Sequence, residues 1–416
     1  MANTTLTADI IAKEAVMILD NNLVMAKQVY RGYESEFDKK VNGYEVGETI
    51  SIRKPTDFTV RDGATMSTQD VVEGKLTLTV DKRKGVDFKF TSQDLTLKIE
   101  DLSERVIKPA MVQLANQIDS DLMALYKKVP NWVGTPGQVV NSYADFAKAP
   151  ERLDETAVPM DGRSAVLSPQ DHWGLLGSQT ALYMQDVAKG AYRKGSLGEI
   201  GGVDTFMSQN VPTLTTGTRS GSTLVNGSII TTTITYDAIK NTNVQTINVD
   251  AFGGATQTVK AGEVITIAGV YDVNPVTKAP LPFLKMFVVT ADATASGSAA
   301  DLIISPAMVW TGAFKNVDVQ GVTDLNNQAV TFMGSASTNY RQNMVFMKNA
   351  FALVSVPLIM PPGAPSGSTR QSYKGTSVRV IPVYDGITDE SAWRLDVLYG
   401  TQTIDGRLAT RLSGSA

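Results

Sequence analysis

The side chains that could do chemistry are few, and their spacing argues against most of it. The 416 residues contain no cysteine, which excludes a thiolate nucleophile, a disulfide framework, Cys-ligated zinc and an iron–sulfur cluster. The one histidine, His172, lies in Ser168-Pro169-Gln170-Asp171-His172-Trp173. A single histidine cannot build a multi-histidine metal site, and any Ser-His-Asp triad would have to use this one. No nucleophile motif accompanies it, so the sequence predicts a partly exposed histidine in the first turn of a helix. Two carboxylate pairs are close enough in sequence to suggest a carboxylate-based hydrolase. Asp119 and Asp121, however, stand two apart in a helical pattern and point to different faces. Glu155 and Asp161 flank a Pro-containing loop and read more simply as a helix end and a turn residue. No catalytic residue, cofactor or metal is expected.

The elements around these groups follow from periodicity. Ile50 and Ile52 alternate with Thr49, Ser51 and Arg53, and Leu76, Leu78 and Val80 with Thr77, Thr79 and Asp81. Val86, Phe88 and Phe90 alternate with Asp87 and Lys89. That is the period of strands with one apolar and one wet face. The intervening 54–74 is rich in charge, Thr, Asp and Gly and shows no apolar face to bury on its own body. A projecting hairpin has little to stabilise it except another molecule, so this part reads as made to lie on a neighbour. Ile107, Met111, Leu114, Ile118, Leu122 and Leu125 then recur at helical spacing, with Pro109 predicting a kink or a late start.

In 1–40, Ile10, Ile11, Ala15, Ile18 and Leu19 make one helical stripe, either an arm or a plain first core helix. The pattern predicts a helix over 143–153, a short buried strand over 163–167, and a further helix opened by Pro169 with Ser168 as N-cap. Composition shifts near Pro212. From there to about Ser305, Thr, Val, Ile, Gly, Asn and Ser dominate, and short alternating runs recur at 229–235, 244–249, 257–259, 263–267, 287–289 and 302–304. This is the signature of a small all-β barrel or sandwich inserted in a mixed domain. Buried strand patterning returns at 346–360 and 393–399.

The formal net charge of −4 argues against a dedicated nucleic-acid reader, which would show a basic stripe. It does not exclude a shell that merely encloses nucleic acid. Met1 to Asp9 shows no charged region followed by an apolar core, so no secretory signal is expected. The run 350–362 is interrupted by Ser355 and Pro357 and is too short to span a bilayer. A soluble protein made in the cytosol, with no membrane partner, is expected.

Several stretches carry a family resemblance. Leu153-Asp154-Glu155-Thr156-Ala157-Val158-Pro159, followed by Gly162-Arg163-Ser164-Ala165-Val166-Leu167-Ser168-Pro169, resembles the helix–loop–strand stretch of tailed-phage major capsid proteins. So does 202–212, a strand approach ending in Asn210-Val211-Pro212. Arg394-Leu395-Asp396-Val397-Leu398-Tyr399-Gly400, with Arg407, Leu408, Ala409 and Leu412 after it, is similar to that family's closing strands. Lys260 to Val270 resembles part of the extra domain of the short-tailed Salmonella-phage coat proteins, while Gly217 to Asn243 departs from their pattern.

The resemblance implies an α+β protein of the Hong Kong 97-type capsid fold, with an inserted small all-β barrel. Its parts would be an N-terminal arm (1–42), an extended E-loop (43–90), and a spine helix with peripheral domain (91–130, the helix about 98–129). Peripheral and axial segments (131–212 and 307–416) would flank the insert (213–306). It implies a self-assembling icosahedral shell of hexamers and pentamers around double-stranded DNA, assembled in the bacterial host cytoplasm with a scaffolding protein and a portal. A cellular nanocompartment of the same fold is the alternative. The E-loop charges Arg53, Lys54, Asp57, Arg61, Asp62, Lys82, Arg83 and Lys84 would pair across subunits. A solvated face is the plain reading of such charges, since an isolated surface pair contributes about 0–1 kcal/mol, but repeated over a closed shell even that favours assembly. Contact with DNA would be weak and sequence-independent, from Lys13, Lys27 and Arg31 of the arm or Arg105, Lys108, Lys127 and Lys128 of the spine. Some relatives cross-link an E-loop lysine to a neighbour's asparagine. Lys54, Lys75 or Lys82 and Asn326 or Asn327 are present, but inserted-domain relatives imply a non-covalent shell.

Overall fold

The computed structural model describes residues 8–415, apart from 38–39, 42–43, 46, 67, 92–105, 180–196, 229–233, 362, 364 and 366–367. Helices and strands are mixed, with antiparallel pairing predominating, so the chain is an α+β protein. It divides into two compact units. The first comprises 1–51, 77–123 and 351–402, and the second 52–76, 124–350 and 403–416.

In the first unit, the helix Ala8–Asn22 packs on the helix Lys108–Met123 and on the strands Thr369–Tyr373 and Thr376–Asp385. Ile11, Ala12, Ala15, Val16 and Leu19 are buried to 2% exposure or less, so this segment is a core helix rather than a free arm. Pro109 stands at the second residue of its helix, where a missing N–H costs nothing. A π-helical turn at 106–107 runs into it, and the expected 98–105 portion lies outside the described residues. The sheet orders Phe351–Ser355, Glu390–Thr403, Thr376–Asp385 and Thr369–Tyr373, with Lys82–Thr91 also paired to Glu390–Thr403. Leu395, Val397, Tyr399, Val378 and Val380 are buried on one face, while Arg83, Asp87, Lys89 and Arg394 stand exposed on the other.

That pairing corrects the expected hairpin. Strands Thr49–Arg53 and Lys75–Thr79 do form a two-stranded sheet, but Lys82–Thr91 leaves it to run in register with 390–399. Alternation identified the strand and could not identify its partner, which lies some three hundred residues further along the chain.

In the second unit, six strands order Asn131–Val133, Ala409–Leu412, Asn343–Met347, Arg163–Leu167, Val203–Met207 and Glu199–Ile200. Helix Tyr143–Glu155, capped by Ser142 Oγ accepting from the Asp145 N–H (3.1 Å), contributes Phe146, Ala149 and Leu153 to the core beside them. Helix Pro169–Gln179 begins as expected, with Ser168 Oγ accepting from the Asp171 N–H at 3.3 Å. His172 is 3% exposed rather than partly exposed, because this helix turns its Asp171–His172 side inward, where Asp171 accepts from the Val140 N–H and the Asn343 amide.

The β-rich segment forms a seven-stranded sheet ordered Leu224–Val225, Gln245–Asp250, Ala300–Ser305, Pro280–Val289, Val264–Val273 and Val317–Val319, with Val330–Phe332 also on Val264–Val273. The Val330 N–H donates to Thr223 O and the Val225 N–H to Gln328 O, both at 2.9 Å, closing the sheet on itself. Closure removes the edges where the two ends meet, the usual solution for a small all-β body, while Val317–Val319 is paired only to Val264–Val273 among the described residues. Val317–Val319, Val330–Phe332 and the core residues Met308 and Leu325 all lie beyond the expected boundary at 306. The chain enters and leaves at Thr213–Thr215 and Asn339–Arg341, which pair antiparallel.

Arg411 joins the parts of this unit. It is 0% exposed and, among the described residues, faces no carboxylate. Its guanidinium donates to Gly262 O (2.6 Å), Val129 O (2.7 Å) and Gln342 Oε1 (3.2 Å). The rings of Tyr126 and Trp132 lie 5.2 and 5.7 Å away, within cation–π reach. Burial pushes its pKa down to about 9, partly offset by Tyr126, and it remains charged at neutral pH.

Candidate assembly surface

The eight charges singled out in the sequence fall into two groups, one in each unit. In the second unit, the Lys54 N–H donates to Gly74 O at 2.8 Å, carrying the strand pairing into the base of the loop 54–74. Arg53 projects with its side chain 84% exposed and only a 3.5 Å contact to Glu73. Arg61 folds back on the carbonyls of Gly63 and Thr65. Asp62 is exposed and has no partner among the described residues.

Lys54 and Asp57 do find partners, on the β-rich segment of the same chain. Lys54 Nζ donates to Lys240 O at 3.4 Å, and Asp57 pairs with Lys278 Nζ at 3.3 Å. The Lys75 N–H donates to Asn241 Oδ1 at 2.9 Å. Gly74 passes so near that a Cβ there would stand 2.4 Å from Lys240 O, so any larger residue would push the loop away. Burial lowers the Lys54 pKa, with Asp405 opposing and Arg407 adding to the shift. The expectation that this loop has no partner in its own chain is therefore overturned. Asn241 and Lys278 were missed because nothing in a single sequence ties residues two hundred positions apart.

In the first unit, Lys82 pairs with Asp121 (3.4 Å) and donates to Thr401 Oγ1 (3.0 Å). Arg83 shares Asp396 with Arg379 and Arg394, at 2.9, 2.6 and 2.9 Å. Burial would push the Asp396 carboxyl up, but hydrogen bonds from Arg379, Arg83 and Arg394 outweigh it and hold the pKa low. Gly85 makes room: a Cβ there would meet Asp396 Oδ1 at 2.7 Å. Lys84 is half-buried and has no partner among the described residues.

The loop also carries what its composition concealed. Phe58 (56%), Val60 (96%), Met66 (78%) and Val71 (64%) are exposed apolar side chains on one short segment. Irregularly spaced among mostly polar residues, they give no periodic signal in the sequence.

The candidate acid–base pairs are separated. Asp119 is buried and accepts from the N–H groups of Val24 (2.7 Å) and Ala26 (3.0 Å), whereas Asp121 accepts from Gln117 and Tyr399. Glu155 lies 3.8 Å from Arg152, and Asp161 is exposed in a turn. Among the described residues no helix is long and apolar enough to cross a membrane.

Several solved structures are similar in part. That titled Mycobacterium phage Che8 shares 14% identity, covering 94% of this chain and 90% of its own, at a TM-score of 0.46. The capsid of the cyanophage P-SCSP1u shares 10%, covering 89% and 85%, at 0.43. The capsid of Ralstonia phage GP4 shares 9%, covering 89% and 85%, at 0.42. Scores this low do not carry the assignment. No curated protein matches the chain. A family model described as "P22 coat protein - gene protein 5", by contrast, matches residues 1–410. The chain belongs to the P22 coat protein family.

Proposed function

We propose that this coat protein is the repeating subunit of an icosahedral phage capsid, and that the loop 54–74 makes contacts between subunits. The observation that carries the reading is the family match over 1–410. The chain is thus a structural component of a virion and not an enzyme. The two sheets, the long helix and the projecting hairpin are consistent with a Hong Kong 97-type fold. The exposed apolar and charged side chains of 54–74 support a docking role for the loop. Lys54, Asp57, Lys82 and Arg83 already have partners in their own chain, so the reading rests on Arg53, Asp62, Phe58, Val60 and Met66.

Scaffolding protein and portal are the partners such a shell requires while it closes in the host cytoplasm. DNA is its cargo, touched weakly. Lys13, Lys27, Lys108, Lys127 and Lys128 are exposed and suit that contact, while Arg31 is engaged with Glu34 and Thr376 and Arg105 lies outside the described residues. The test is electron microscopy of the purified protein with and without Arg53→Glu and Val60→Asp. Closed polyhedra from the native protein, and folded subunits without shells from the variant, are expected. Native protein that makes no closed particles under any assembly condition overturns the capsid reading.

A further inference from the structure

We infer that the β-rich segment positions the loop 54–74 for assembly, with Lys278 and Asn241 as its positioning residues. This rests on the reading that the loop docks on another subunit. A two-stranded hairpin is marginally stable alone, and the segment it subtends, 54–74, has no helix or strand among its described residues. Left to itself, such a segment would have to be ordered at each docking event, which weakens binding. The structure supplies three attachments along its two limbs. Asp57 meets Lys278 on the outgoing limb, with side chains 34% and 16% exposed. Lys54 Nζ meets Lys240 O at its root. On the returning limb, Gly74 lies against Lys240 O and the Lys75 N–H donates to Asn241 Oδ1.

Lys240 and Asn241 directly follow the short helix Tyr236–Ile239, and Tyr236 stacks on Phe314 with ring centroids 3.5 Å apart. Lys278 sits in the turn between Val264–Val273 and Pro280–Val289, the longest strand pair of the barrel. Both anchor points are therefore fixed by closed, packed structure, whereas the loop they hold is not. Between the anchors, Phe58, Val60, Asp62 and Met66 face solvent. The barrel holds the roots and leaves the tip free to dock.

The soluble subunit, Lys278→Glu, Lys278→Arg, Asp57→Asn and the exchanged pair Asp57→Lys with Lys278→Asp give the test. Limited proteolysis reads cleavage within 54–74, and light scattering reads shell growth. Partly exposed ion pairs are weak, so Lys278→Glu and Asp57→Asn should raise cleavage by roughly 2- to 5-fold and slow shell growth, with circular dichroism unchanged. Lys278→Arg should match the native protein, and the exchanged pair should recover it. Unchanged cleavage in folded Asp57→Asn and Lys278→Glu subunits overturns the inference. So does faster growth, which would mean the contact restrains assembly. Should the native subunit form no shells, the capsid reading fails, while the cleavage arm still decides whether the barrel holds the loop.

Discussion

Asp119→Asn is the sharpest perturbation available in the first unit. The carboxyl is 1% exposed, and one oxygen accepts from Val24 N–H while the other accepts from Ala26 N–H. Burial pushes its pKa up to about 6 from 3.8, against the pull of those backbone donors and of Lys27. Because the folded value lies above the unfolded one, the stability this group supplies is full below about pH 4 and is lost as pH rises through 6. The shift of about two units corresponds to roughly 3 kcal/mol. Asparagine cannot ionise, so it abolishes this dependence. It also turns an amide N–H toward one of the two donors and orphans it, at a cost of about 1–3 kcal/mol at every pH. The variant should therefore be the less stable at pH 4.5, and the gap should close or invert by pH 7.5. Urea unfolding of the soluble subunit, native and variant side by side at both pH values, isolates the residue from all other carboxylates. A gap that does not change with pH would refute the argument.

Three further outcomes follow from the second unit and from the charge balance. A fragment spanning 212–342 should melt cooperatively with a β-type circular dichroism spectrum, whereas 211–306 should not, since it lacks Met308, Leu325 and the strand Val330–Phe332 that closes the barrel. Equal melts would return the boundary to 306. Arg411→Met keeps the stem but leaves Val129 O and Gly262 O without their donor, and should cost about 2–4 kcal/mol in urea unfolding; an unaffected midpoint would mean that relief of the buried charge offsets the loss. With a net charge of −4, the subunit should bind a labelled duplex with a Kd no tighter than about 1 μM at physiological salt. Nanomolar binding with a steep salt slope in fluorescence anisotropy would make it a true DNA-binding protein.

Local chemistry was legible where it decides structure locally. The strand Arg163–Leu167 and the cap at Ser168 emerge as read, because the apolar Ala165-Val166-Leu167 and an N-cap followed by proline act within a few residues. Val264–Val273 and Pro280–Val289 ran longer than expected. Asp272 and Lys285 interrupt their apolar pattern, yet are buried as a pair at 2.7 Å. What no pattern could disclose is partnership at a distance: Lys82–Thr91 with 390–399, Asp57 with Lys278, Asp119 with the N–H groups of 24 and 26. Alternation states that a strand has two faces and is silent on its neighbours. The same silence hid the exposed apolar residues of 54–74, whose irregular spacing has no period to detect.

Arg411 has a consequence for the order in which the protein can be completed as it is synthesised. The barrel's strands lie between 224 and 332, so its fold is available once that stretch has emerged. The carbonyls it must share with its surroundings, at Val129 and Gly262, wait on a donor 282 and 149 positions later in the chain. Until Arg411 arrives, the barrel is held by earlier contacts such as Asn274 Nδ2 to Glu155 O and Arg152 over the Phe283 ring, and the groove awaiting the guanidinium presents bare carbonyls and two aromatic rings. Contacts of such long sequence separation form late and slowly. The Arg411 joint is therefore among the last to close, and an emerging subunit passes through a stage in which its barrel is finished while this joint is not.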